Sequence, residues 1–217
     1  MTLQNRVTPL GELVAVPDRG LVYGNRGCLH DAERRIRRNW QVKRWIACRL
    51  EFRGRHRADP MPPGRYTGLF FVDEATAFAA GHRPCAECRR EDYNRFMDIV
   101  GARRADELDE RLHEERTGPH RRASRLPDGA FLLVDDEPWL VLGDELARWT
   151  PAGYSERRPR PSGRAAVITP STTLEVLRAG WNGAVPLLHP SAATSALPAA
   201  GSSRTRRPPR SSRPASR

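Results

Sequence analysis

An α+β fold is predicted, on three grounds. Short apolar runs bounded by Pro, Gly and Asp recur along the chain, as strands between turns do. An Ala-rich stretch follows Asp73, a residue type that caps helices. Two charged segments between Glu91 and Arg116 carry apolar residues at helical spacing.

In chain order, Leu13–Val16 and Leu21–Tyr23 flank Pro17-Asp18-Arg19-Gly20 and read as two short strands around a turn. Asp31 to Trp40 is expected to be a short helix capped by Asp31. Arg44 to Phe52 alternates and is rich in Trp, Ile, Leu and Phe, so a strand is expected, and Tyr66 to Val72 is another. Asp73 then caps a helix over residues 74–80, closed by Gly81 where a left-handed turn is cheap. Helices are expected over Glu91–Val100 and Ala105–Arg116, with a loop over Arg121–Asp128. Phe131–Val134 and Trp139–Leu142 form a strand, turn, strand pattern across Asp135–Pro138, and Val167–Thr169 is a further strand. Thr172 and Glu175 have the spacing of a capping box opening a helix to Ala179, with Gly180 beyond its end.

Composition bounds the function. With 38% hydrophobic residues and a mean hydropathy of −0.65, the 217-residue chain has no run of about 18 apolar residues to cross a bilayer. Its start lacks the apolar core of a secretory signal, so a cytoplasmic location is expected. Basic residues number 37 against 26 acidic, a net charge of +11, and Lys43 is the single Lys. An Arg bias that runs from end to end is read as coding bias of a GC-rich genome. The distribution says more: residues 28–104 carry +7, residues 105–150 carry −6, and residues 191–217 carry +6. Ser191–Arg217 has no acid and almost no large apolar side chain, so a disordered Arg/Ser/Pro tail is expected. From Arg34 to Arg57, ten of 24 residues are basic and Trp40, Trp45 and Phe52 are interleaved. Arg chelates phosphate and lies flat on rings, so this segment suits nucleic acid; the competing reading is a solvated helix face.

All four cysteines lie between Cys28 and Cys88. Cys85-Ala86-Glu87-Cys88 has the short bite by which two thiolates grip one tetrahedral metal, at about 2.3 Å from zinc to each sulfur. Cys48 is the natural third ligand and Cys28 the natural fourth, with His30, His56 or His82 as alternatives to Cys28. A disulfide framework does not suit a cytoplasmic chain of this length, and a redox pair lacks the preceding βαβ pattern. The expected organisation is therefore a zinc-binding α+β domain over residues 1–116, a small β-rich unit over 129–190, and the tail.

The run Tyr66-Thr67-Gly68-Leu69-Phe70-Phe71-Val72-Asp73, continuing through Ala77-Phe78-Ala79-Ala80-Gly81-His82 to Arg83-Pro84-Cys85-Ala86-Glu87-Cys88, resembles the second half of the Ada-type metal-binding domain of alkylated-DNA repair proteins. Trp45-Ile46-Ala47-Cys48-Arg49 is similar to the strand bearing that family's first ligand, and the likeness spans residues 44–90. It implies a thiolate-bound zinc, contact with DNA phosphates, and Cys48 as a ligand and methyl acceptor. The family's second ligand position is Phe52 here. Phosphate contacts are expected from Arg44, Arg49, Arg53, Arg55, Arg57, Arg89 and Arg90.

The first expectation is thus a zinc-stabilised nucleic-acid-binding protein related to DNA repair, acting by binding or stoichiometric methyl acceptance rather than by turnover. An alternative is a metal-dependent nuclease or other hydrolase built on Asp109, His113 and Glu114, since spacing of four puts Asp109 and His113 on one helix face. A third is a structural-zinc protein with no nucleic-acid role.

Overall fold

The computed structural model describes residues 2–54 and 59–193. Of the expected tail, residues 194–217 lie outside the described residues. Two six-stranded sheets pack around one short buried helix. The first sheet holds β1 (Arg6–Val7), β2 (Leu13–Val14), β3 (Val22–Asn25), β4 (Ile46–Cys48), β5 (Leu69–Phe71) and β6 (Arg83–Pro84) in the order β2-β1-β5-β3-β4-β6. Its β1–β5 and β4–β6 pairs are parallel and the rest antiparallel. Gly24 of β3 is needed for this packing: a Cβ there would lie 2.3 Å from the Ile46 carbonyl and 2.9 Å from the Phe71 ring.

The second sheet is antiparallel throughout and consists of β7 (Arg121–Ala123), β8 (Phe131–Val134), β9 (Glu137–Leu142), β10 (Glu145–Thr150), β11 (Gly153–Pro159) and β12 (Ala165–Val167), ordered β11-β10-β9-β8-β12-β7. The β8–β9 hairpin turns through Asp135 and Asp136, both at positive φ (53° and 62°), the geometry that a two-residue turn needs to follow strand twist. The helices are α1 (Glu74–Ala79), which lies between the sheets, α2 (Arg90–Ile99) and α3 (Ala105–Thr117), with α4 (Ser171–Arg178) and a 3-10 turn (Pro190–Ala192) at the end.

Every residue of α1 is buried, which accounts for its alanines: small side chains let backbone from both sheets approach. Ala77 and Ala80 meet Val22, Leu69 and Phe71 of the first sheet, and Ala75 and Ala79 meet Phe131, Leu140 and Ala147 of the second. Phe78 points into the largest apolar cluster, with Phe96, Leu108, Leu112, Trp139, Val141 and Trp181. That cluster draws side chains from both sides of residues 117–128, so the expected seam between two units is bridged by a shared core.

Asp73 caps α1 as expected, accepting from the Thr76 N–H (2.8 Å) and hydroxyl (2.7 Å). The same buried carboxylate also accepts from the Tyr154 hydroxyl (2.7 Å) and the His189 N–H (2.9 Å), tying α1 to β11 and to the end of the described chain. Asp73→Ala is expected to destabilise the protein by about 2–4 kcal/mol in urea unfolding, because a cap is lost and buried donors are orphaned. A loss below 0.5 kcal/mol, on the order of a surface change, would contradict this reading.

Three local expectations are corrected. The expected loop over Arg121–Asp128 begins as a strand, since Arg121–Ala123 pairs with β12 as β7. Asp31–Trp40 is not a helix: Asp31 accepts from the Glu33 and Arg35 amides, Arg34 sits at φ 61°, and the chain doubles back through a His30–Ile36 bridge. Asp31 thus caps a turn. The Thr172/Glu175 capping box does not form either, since Pro170 precedes α4 and Glu115 of α3 takes both the Thr172 N–H (3.0 Å) and hydroxyl (2.9 Å). Among the described residues no helix is long and apolar enough to cross a membrane.

Candidate metal centre

Strand pairing builds the centre. In the parallel β4–β6 pair Ala47 lies opposite Pro84, so Cys48 and Cys85 come level at the next position, and the Cys85 N–H donates to the Ala47 carbonyl at 2.9 Å. A turn follows β6 and leads into α2, with the Arg89 N–H donating to the Cys85 carbonyl at 3.0 Å, which folds Cys88 back beside Cys85. The sulfurs of Cys48, Cys85 and Cys88 all lie within 4.8 Å of one another, and all three residues are buried. Tyr23 packs over them, edge-on to Phe70 at 5.4 Å, with Ile46 and Phe52 at the margin.

The electrostatics suit a cation. Hydrogen bonding to the Cys85 and Cys88 sulfurs, and then burial, push the Cys48 thiol well up, while hydrogen bonds from Cys48 and Cys88, with the backbone N–H groups of Cys88 and Glu87, hold Cys85 far below the usual thiol range. At Cys88 a hydrogen bond from Cys48 lowers the thiol, as does the Arg49 N–H, but Cys85 and burial together raise it on balance. One thiolate shared by two thiols, with N–H groups aimed at sulfur, is an arrangement a divalent metal would convert into three thiolates. Tetrahedral zinc at about 2.3 Å per bond would space its sulfurs by about 3.8 Å, within the observed limit. The residues present therefore fit a thiophilic metal. A three-cysteine group that could hold a metal ion is what the structure shows.

Cys28 is not a member of this group. β3 runs antiparallel to β4 with Tyr23 opposite Cys48, so residues after Tyr23 move toward Ile46 and away from the sulfurs. Cys28 has its own partners: its N–H donates to the Gln41 side chain at 2.7 Å and its sulfur lies 3.7 Å from the His30 carbonyl. His30 is taken on both ring nitrogens, by Thr67 at 2.6 Å and the Pro62 carbonyl at 3.2 Å. His82 is buried against Trp45 and Phe71, with ring centroids at 5.1 and 4.6 Å, outside the sulfur group. His56, Arg55 and Arg57 lie outside the described residues.

Beside Cys88 opens a groove of about 280 Å³, lined by Arg49, Phe52, Arg53, Arg90, Glu87 and Glu91 among others. Arg49, Arg53 and Arg90 are exposed, with Arg53 held over the Phe52 ring at 5.0 Å. Arg44 is exposed on the opposite flank of β4, where its charge acts on Asp109. Arg89 requires correction as a phosphate contact: it is fully buried, paired with Glu74 at 2.5 Å and Asp92 at 2.6 Å. Burial raises the Glu74 carboxyl to about 7 in spite of Arg89 and a 2.8 Å hydrogen bond from the Trp181 indole. This network escapes sequence reading because Glu74, Arg89 and Trp181 are far apart in the chain, and nothing in the run Cys88-Arg89-Arg90 distinguishes the inward Arg from the outward one.

No family model, no curated protein and no solved structure matches the chain.

The alternative hydrolytic constellation is not assembled. Asp109 gives both oxygens to Arg83, each at 2.9 Å, and the His113 ring sits 2.9 Å from Arg116 and edge-on to Trp40. Asp109, His113 and Glu114 form no common metal-binding group. Helix spacing put Asp109 and His113 on one face, but that face packs on the first sheet, where arginines already occupy it.

Proposed function

We propose that this protein holds one zinc ion on Cys48, Cys85 and Cys88 and presents the adjoining arginine-lined groove to the phosphates of nucleic acid. The observation that carries the reading is the convergence of three buried thiols from two distant stretches, next to exposed Arg49, Arg53 and Arg90. Structural zinc sites are usually closed by four protein ligands, so a three-cysteine set leaves one position for a fourth group. Zinc would supply the cross-link between β4 and the turn after β6. Arg49 directly follows one ligand and Arg90 comes two residues after another, so ordering the metal site orders the phosphate contacts too. Phe52 beneath Arg53 adds an aromatic surface for a base or sugar. The resemblance to the Ada-type domain points toward DNA and repair.

Replacing Arg49, Arg53 and Arg90 together by Ala is expected to reduce the slope of log K against log salt for duplex DNA by about 2 to 3, one phosphate contact per side chain. Binding isotherms at several salt concentrations read this directly. An unchanged slope, with zinc still bound, leaves a metal centre that serves the fold alone.

A further inference from the structure

A second polar cluster lies inside the protein, beyond the metal centre. Arg26, just after β3, is fully buried. Its Nη2 donates to the Gly11 carbonyl at 2.8 Å, whereas Nε and Nη1 have no hydrogen-bond partner. Burial holds its pKa down to about 10, with no carboxylate contributing, so it remains charged at neutral pH. Its guanidinium lies 4.4 Å from the Trp45 ring. The same indole carries the Arg116 guanidinium at 3.8 Å, and Arg116 Nε is also buried without a partner. Asp109, the carboxylate that acts on Arg116, is already chelated by Arg83.

His82 completes the wall. It is fully buried against Trp45, and neither ring nitrogen makes a well-formed hydrogen bond, although the Ala77 and Ala80 carbonyls approach it. Gly11 presents no side chain to Arg26: even a Cβ would lie 3.6 Å from Nη1.

We infer that this interior cluster binds a halide-sized inorganic anion on Arg26 Nε and Nη1, walled by His82, Arg116 and the Trp45 indole. A guanidinium shut away from water without a counter-charge is strongly unfavourable, and buried charges in proteins are paired. Water would satisfy the N–H groups but leave the charge; an anion does both. The full burial of Arg26 and His82 favours a small monatomic ion over a phosphate, which separates this site from the exposed groove beside Cys88.

The test uses the full, zinc-loaded chain. At constant ionic strength, replacing gluconate by chloride or bromide is expected to raise Tm saturably by about 2–4 °C, and R26M is expected to abolish the rise. Should R26M fail to fold, crystals of the unaltered protein grown with bromide decide the matter, with an anomalous peak expected within hydrogen-bonding distance of Arg26 Nε or Nη1. Equal Tm in gluconate and halide, a non-anomalous water at that position, or bromide found only on the metal would overturn the inference.

Discussion

Cys85→Ser is expected to strip the bound metal from the protein and with it the order of the first sheet's far edge. β4 and β6 pair over only two register positions, too few to hold a parallel edge by hydrogen bonds alone. A metal held on Cys48, Cys85 and Cys88 would cross-link them. Apparent binding free energies of structural zinc are about 10–16 kcal/mol, so a destabilisation on the order of 5 kcal/mol or more is expected. The informative partner is Cys28→Ser, for which the expected result is full metal content and near-native stability, because Cys28 is not in the sulfur group. Native mass spectrometry and unfolding with and without chelator read both. A wild-type protein purified without metal, or a Cys28→Ser protein that loses it, would sink this account.

The second large effect is expected at Arg89. Arg89→Ala should cost about 3–5 kcal/mol, since removing one partner leaves Glu74 charged or protonated in a fully buried site. Most of that cost is the stranding of Glu74 rather than the net worth of the pair. The double change Arg89→Met with Glu74→Leu is therefore expected to recover much of the loss in urea unfolding, and a double variant no more stable than Arg89→Ala would contradict it. Because Arg89 directly follows Cys88, the single variant should also weaken metal retention, which a chelator competition would detect.

How much was legible in the sequence depends on the range of the forces involved. The Asp73 cap, the Gly81 stop at φ 79° and the Asp135–Asp136 turn are local, and the chain spells them out within a few residues. The proximity of Cys85 and Cys88 is local as well. Which third and fourth groups join them depends on strand register, and the β3–β4 pairing that carries Cys28 away cannot be read from cysteine spacing. Similarly, Arg89 and Arg90 look alike until Glu74 and Asp92 claim the first. β11 escaped sequence reading because it is a sheet edge: Glu156, Arg157 and Arg158 supply the charge that protects edges, and no apolar alternation survives. The Asp31–Trp40 segment failed in the opposite sense, since Asp31 offers a cap equally well to a turn.

The N-terminal end of α1 bears on how the chain is made. Besides its cap, α1 has the Glu74 and Ala75 N–H groups satisfied by the carbonyls of Pro186 and Leu187, more than a hundred residues later in the order of synthesis. Until that late segment leaves the ribosome, the helix between the two sheets lacks its final partners and Trp181 has not reached Glu74. The half that holds the three-cysteine group, although translated first, is thus completed last. A nascent chain arrested before residue 180 would lack the indole and the two carbonyls that satisfy Glu74 and the first turn of α1, leaving polar groups of the innermost helix unpaired until translation is nearly over.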